Sequence, residues 1–155
     1  MSPLSIKEEL YAHCEAYVTA LLERAEEGIR ASQEEASREQ KSSAGDKFET
    51  HRAMMHLQME SYIKRQEVAE GLMAALQRLS LQSGALIQAG SLVGTDQGFY
   101  FISISAPALS LEGDRYLCLS PDAPLARAML GAQAGDWVEW SVGEEERELE
   151  VFWVC

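Results

Sequence analysis

Two periodicities divide the chain. Between residue 5 and about residue 80, apolar and small residues recur at helical spacing, first at Leu10, Cys14, Tyr17, Leu21 and Gly28. A second stripe, Phe48, Met55, Tyr62, Ala69 and Leu76, repeats every seventh residue, with Met59 and Met73 interleaved. A seam of that period predicts a helix packed along its length against another helix. Ser5 followed by Glu8 is a capping-box pattern and predicts a helix start there. The polar run Lys41-Ser42-Ser43-Ala44-Gly45 predicts the break between the two helices. Helices of about 33 residues would each span about 50 Å. A short connection makes them antiparallel neighbours, although a continuous rod pairing with a second chain satisfies the same periodicity.

After Ser83-Gly84 the pattern changes to short runs rich in aromatic and β-branched residues. Residues 99–105, 115–119, 137–142 and 148–154 read as strands, punctuated by glycines at 90, 94, 98, 113, 131, 135 and 143. One helix fits between them, over about residues 124–130, with Pro124 at its start and Gly131 at its end. Short turns and a single helix imply a mixed or antiparallel sheet with the helix on one face. The Trp and Tyr residues of this half sit at strand periodicity and are expected in the core. The fold class is therefore α+β, with a helical hairpin over residues 1–80 and a small sheet domain over residues 81–155.

Charge sharpens this division. The chain holds 25 Asp+Glu against 13 Lys+Arg, a formal net charge of −12. Lys/Arg against Asp/Glu run 4 to 9 over residues 5–40, 6 to 5 over 41–79, and 3 to 11 over 80–155. Such a surface repels bare nucleic acid and anionic membranes. Any contact with RNA or an acidic surface falls to the second helix and its approach. No apolar run of about 18 residues spans a membrane, and the first residues lack the pattern of a signal peptide. Cys14, Cys118 and Cys155 are odd in number and widely spaced, with no metal-ligand or disulfide pattern. A soluble cytoplasmic protein is expected.

The candidate chemistry is concentrated at the break between the helices. Asp46 and Glu49 stand three apart at the start of the second helix, on one face and close enough to share a cation. Acidic residues also belong in a first helical turn for the sake of the macrodipole, worth about 0.3–1 kcal/mol each. His51 and His56 are five apart and do not share a helical face, so they do not suggest a zinc site. His13 adjoins Cys14. No nucleophile–base set and no glycine-rich phosphate loop is legible.

Gly45-Asp46-Lys47-Phe48-Glu49 is similar to the Gly-Asp-x-x-Glu tip motif of the bacterial Gre transcript-cleavage factors, GreA and GreB. The segment Leu119-Ser120-Pro121-Asp122-Ala123-Pro124-Leu125-Ala126-Arg127-Ala128-Met129-Leu130-Gly131 resembles their Ile-Ser-x-x-Ser-Pro-Leu-x-x-Ala-Leu-Leu-Gly stretch. Gly135-Asp136-Trp137-Val138 follows at the family's spacing for Gly-Asp-x-Val. Thr50-His51-Arg52-Ala53 stands where the family continues Asn-Ala-Glu-Tyr, and Ala123 where it has serine.

The resemblance implies an N-terminal antiparallel coiled-coil hairpin and a small FKBP-like antiparallel-sheet domain with one helix. It implies that the C-terminal domain binds RNA polymerase and that the hairpin enters the secondary channel. There Asp46 and Glu49 would help hold a Mg²⁺ shared with the polymerase, and cleavage of backtracked RNA would follow. Two-metal phosphoryl chemistry calls for such anionic oxygen ligands. On this reading the chain is a monomer and not itself an enzyme: it stimulates the polymerase, binds no cofactor alone, and meets the RNA 3′ end only within the complex. Two alternatives stand beside it: a secondary-channel regulator that binds polymerase without stimulating cleavage, and a prolyl isomerase suggested only by the implied fold.

Overall fold

The computed structural model describes residues 1–39 and 46–155, and the side chains of all of these except 39 and 46–48. The break expected at residues 41–45 lies outside the described residues. Helix α1 runs Pro3–Glu39 and α2 runs Asp46–Gln77. Helix α1 begins two residues earlier than the capping-box pattern at Ser5 and Glu8 suggests. The Ser2 hydroxyl accepts the Ser5 N–H at 3.2 Å, and the Ser2 carbonyl accepts the Ile6 N–H at 3.0 Å. Pro3 explains the shift, because the first helical position needs no N–H and favours its fixed φ. Ser2 is therefore the cap.

Residues 16–74 form one compact unit. Along α1 the buried stripe passes through Val18, Ala25 and Ser32, with Tyr17 only half-buried. Along α2 it includes Met55 and Ala69, with Tyr62 half-buried. The helices are antiparallel, since Glu35 meets His51 at 3.6 Å while the earlier Gly28 meets the later Tyr62. A seven-residue seam on both helices is what allows them to stay in contact.

Residues 1–15 and 75–155 form the other unit. Its strands are β1 (Leu92–Thr95), β2 (Gly98–Ile102), β3 (Ala106–Leu111), β4 (Asp114–Leu119), β5 (Trp137–Val142) and β6 (Glu145–Val154), with α3 (Pro124–Met129) between β4 and β5. They make one six-stranded sheet of order β3-β4-β2-β1-β6-β5. Four of the neighbouring pairs are antiparallel, as expected, and β2 with β4 is parallel, so the sheet is mixed. Strands β1 and β3 are additions to the sequence reading. Strand β1 is four residues long and buried throughout, so no alternation betrays it. Strand β3 contains Pro107, which suits its place at the sheet edge.

Helix α3 covers one face of the sheet, where its Ala126 and Met129 pack with Ile87, Val93, Tyr100, Ile102, Val138, Leu149 and Val151. Full burial of each larger apolar side chain contributes about 1.5–3 kcal/mol. This core, and not local propensity, holds a helix of only 6 residues in place. Not every aromatic joins it. Tyr100 and Tyr116 are buried as expected, whereas Trp137 is 59% exposed.

Candidate functional site

The acid pair opens α2. Asp46 is the first residue of that helix and Glu49 stands one turn on, exposed. At 3.6 residues per turn these backbone positions share a face; the Asp46 side chain lies outside the described residues. Nearby, the His51 imidazole meets the Glu35 carboxylate of α1, and His56 meets Glu60 of its own helix at 3.3 Å. Each histidine thus has a carboxylate for a neighbour. Among the described residues no three His, Cys, Asp or Glu side chains gather as a metal centre.

Midway along the hairpin a cleft of about 430 Å³ is lined by Leu21, Arg24, Ala25, Ser61, Tyr62, Lys64, Arg65 and Val68. The Arg65 guanidinium lies 5.1 Å from the Tyr62 ring centroid, a cation–π distance. Arg24 of α1 and Lys64 and Arg65 of α2 make this a basic patch on a strongly acidic chain.

Within the sheet unit, the first residues of α1 carry a group of contacts that sequence reading did not find. The Lys7 ammonium donates to the Leu81 carbonyl at 3.1 Å, and the residue is fully buried. Burial pulls its pKa below the ordinary lysine value, with negative charge at Cys155 opposing. The His13 Nε2 donates to the Pro107 carbonyl at 2.7 Å. The Cys14 sulfur lies 3.7 Å from that of Cys118 and 3.8 Å from the Ser103 hydroxyl. Only tertiary structure brings these cysteines together, across 104 positions of sequence.

The sheet face opposite α3 carries an aromatic row. Phe99 stacks on Tyr116 with centroids 5.1 Å apart and lies 5.9 Å from Trp153. Toward β5 and β6, Trp137 and Phe152 are 59% and 55% exposed. Strand alternation sets Trp137 on the side away from buried Val138. Large aromatics left in solvent on an ordered sheet are candidates for a partner surface.

No family model matches the chain, and no curated protein matches it. Among solved structures, the chain is similar to one described as the transcription factor Gfh1, at 22% identity over 92% of this chain and 93% of that one, with a TM-score of 0.36. It is similar also to the GreA factor homolog 1 (Gfh1) protein of Thermus thermophilus, at 19% identity over 89% and 92%, with a TM-score of 0.35. Gfh1 of Thermus aquaticus matches at 18% identity over 92% and 94%, with a TM-score of 0.36. No helix among the described residues is long and apolar enough to cross a membrane.

Proposed function

We propose that this protein is a Gre-like transcription factor that binds RNA polymerase and stimulates cleavage of backtracked RNA. The observation that carries the reading is the position of Asp46 and Glu49 in the first turn of α2, in a long antiparallel hairpin. The Gre-like sequence of residues 119–131, which here forms the end of β4, the turn and α3, supports it. The sheet unit, read as FKBP-like, docks on the polymerase, with Trp137 and Phe152 as exposed anchors. The hairpin enters the secondary channel. The protein acts as a monomer and is not an enzyme by itself.

The tip suits a hard divalent cation in its donor chemistry, since carboxylates are the side chains Mg²⁺ prefers. Glu49 is exposed and free of the core, so its carboxylate is available to a partner's site. Asp46 and Glu49 would be the residues that help hold a shared Mg²⁺, which when bound would supply acidification of a water. The helix start fixes where these two positions arrive in a partner's site.

Stalled, backtracked elongation complexes given the protein and Mg²⁺ should release short 3′ RNA fragments. The Asp46→Ala/Glu49→Ala double variant should bind polymerase and release none. Equal cleavage by that variant would sink the metal-ligand role. One observation favours the second reading, a channel regulator without cleavage. Thr50-His51-Arg52 follows the acid pair, so the Arg52 cation stands within one turn of Glu49. Polymerase binding with altered pausing and no fragment release by the unaltered protein would establish it.

A further inference from the structure

We propose that Cys14 and Cys118 form a reversible disulfide on exposure to a hydroperoxide, fastening the N-terminal segment of α1 to strand β4. The two sulfurs are 3.7 Å apart, inside the compact unit that holds both residues. A disulfide places its sulfurs about 2.0 Å apart, so the bond requires the two side chains to close the remaining gap. Both residues are buried, at 0% and 6% exposure, so each thiol meets the other before it meets solvent. Ser103 Oγ, 3.8 Å from the Cys14 sulfur, is a second polar neighbour.

The asymmetry of the pair assigns the roles. The Cys14 thiol donates to the Cys118 sulfur at 3.7 Å, and the closeness of Cys118 holds the Cys14 pKa below its ordinary value despite burial, with Ser103 helping. Cys118 is pushed up by the same pairing and by burial. The Ser103 hydroxyl, 3.8 Å from the Cys14 sulfur, is placed to donate to a thiolate there, which makes Cys14 the nucleophile and Cys118 the resolving thiol. The Cys14 thiol gives up its proton and the thiolate attacks one peroxide oxygen; the O–O bond breaks, Cys14 sulfenic acid forms, and the departing oxygen takes up that proton as water (or alcohol). The Cys118 sulfur then attacks the Cys14 sulfur, the S–O bond breaks, and the hydroxyl leaves as water with the Cys118 proton. Two thiols are oxidised and one hydroperoxide is reduced. Burial makes the step depend on a small oxidant or on local opening of the first turns of α1.

The test uses the full chain, reduced and then treated with hydrogen peroxide. A non-reducing digest should yield a peptide pair linked through Cys14 and Cys118, and two of the three thiols should be lost. The ring closed by that bond is long, so the thermal midpoint should rise by about 10 °C and fall back on reduction with dithiothreitol. Cys155→Ser should behave like the parent protein, because Cys155 is outside the pair. Cys118→Ser should give neither the linked peptide nor the rise, and dimedone should trap its Cys14 sulfenic acid. Three thiols still titrating after peroxide would overturn the proposal. So would linkage through Cys155 alone, or Cys14 driven to sulfinic acid in the parent protein with no bond to Cys118.

Discussion

Gly28 of α1 lies against the ring of Tyr62 of α2 so closely that a Cβ at position 28 would fall inside the ring's van der Waals envelope. The ring in turn carries the Arg65 guanidinium on its face. Gly28 is a helical residue, and on propensity alone Gly28→Ala should stabilise α1 by about 1 kcal/mol. Overpacking costs about 1–3 kcal/mol, and the atoms met include the ring carbon nearest the backbone, which cannot swing away cheaply. The expected result is a net loss of about 1 kcal/mol, read as a lower urea midpoint. In a Tyr62→Ala background the same substitution should reverse sign and stabilise. A double-mutant cycle with no coupling would show that the contact is slack.

Gly94 plays the corresponding part in the sheet. It pairs with Phe99 of β2 on one side and Trp153 of β6 on the other. A Cβ at Gly94 would overlap the Trp153 indole, which therefore lies over β1 and reaches toward Phe99. Gly94→Ala should displace the indole and break the row Trp153–Phe99–Tyr116, costing about 1–3 kcal/mol. Near-ultraviolet circular dichroism should weaken along with the fall in midpoint. An unchanged aromatic signal at unchanged stability would mean that the row is not closely packed.

How much of this was legible in the sequence follows from how local each signal is. The stripe through Met55, Ala69 and Leu76 could be read because helical burial repeats along one segment. Pro124 and Gly131 bracketed α3 for the same reason. Strand β1 was not legible, since Leu92–Thr95 is buried on both faces and too short to show alternation. The exposure of Trp137 contradicts the pattern expected of a core aromatic, because strand periodicity says which residues share a face and not whether anything covers it. Cys14 and Cys118 carried no signal at all. Their meeting depends on α1 returning to the sheet of its own unit, a relation written in no local spacing. The acid pair was visible as a motif; Glu49 is exposed in the first turn of α2, and the Asp46 side chain lies outside the described residues.

Lys7 gives a pH dependence with a definite sign. Its pKa is lowered in the folded protein by burial, from an ordinary 10.5. Between the folded value and 10.5 the unfolded chain binds more protons at this residue, so its contribution to stability rises with pH across that window. Below the folded value the charged amine costs stability. Lys7→Met removes the charge and with it the pH-dependent term. It also leaves the Leu81 carbonyl without the ammonium donor. The stability of Lys7→Met relative to the parent should therefore be greatest near neutral pH and should shrink as the pH approaches 10.5. Tyr100 and Tyr116, whose pKa values burial raises, lower stability above about pH 10 in both proteins and cancel from the difference. Denaturant titrations of the two proteins across that range measure it. A difference that does not change with pH would mean that the amine is solvated through its hydrogen bond to Leu81.

Trp137 and Phe152 test the docking of the sheet unit on polymerase that we propose. Both are more than half exposed, whereas the neighbouring Val138 and Val151 are buried in the core beneath α3. Truncating them should therefore leave folding nearly intact. Aromatic anchors at the centre of an interface commonly cost 2 kcal/mol or more when cut to alanine, which is about 30-fold in Kd for each strong anchor. The Trp137→Ala/Phe152→Ala variant should keep the parent's thermal midpoint within a few degrees and lose polymerase affinity by at least about tenfold. In the cleavage assay its deficit should be overcome by raising its concentration, because the tip acids are untouched. The Asp46→Ala/Glu49→Ala variant should show the opposite behaviour, with binding kept and no recovery at any concentration. If instead the aromatic variant binds as well as the parent, the docking surface lies elsewhere on the unit, and Trp137 and Phe152 are solvent-facing residues without that role.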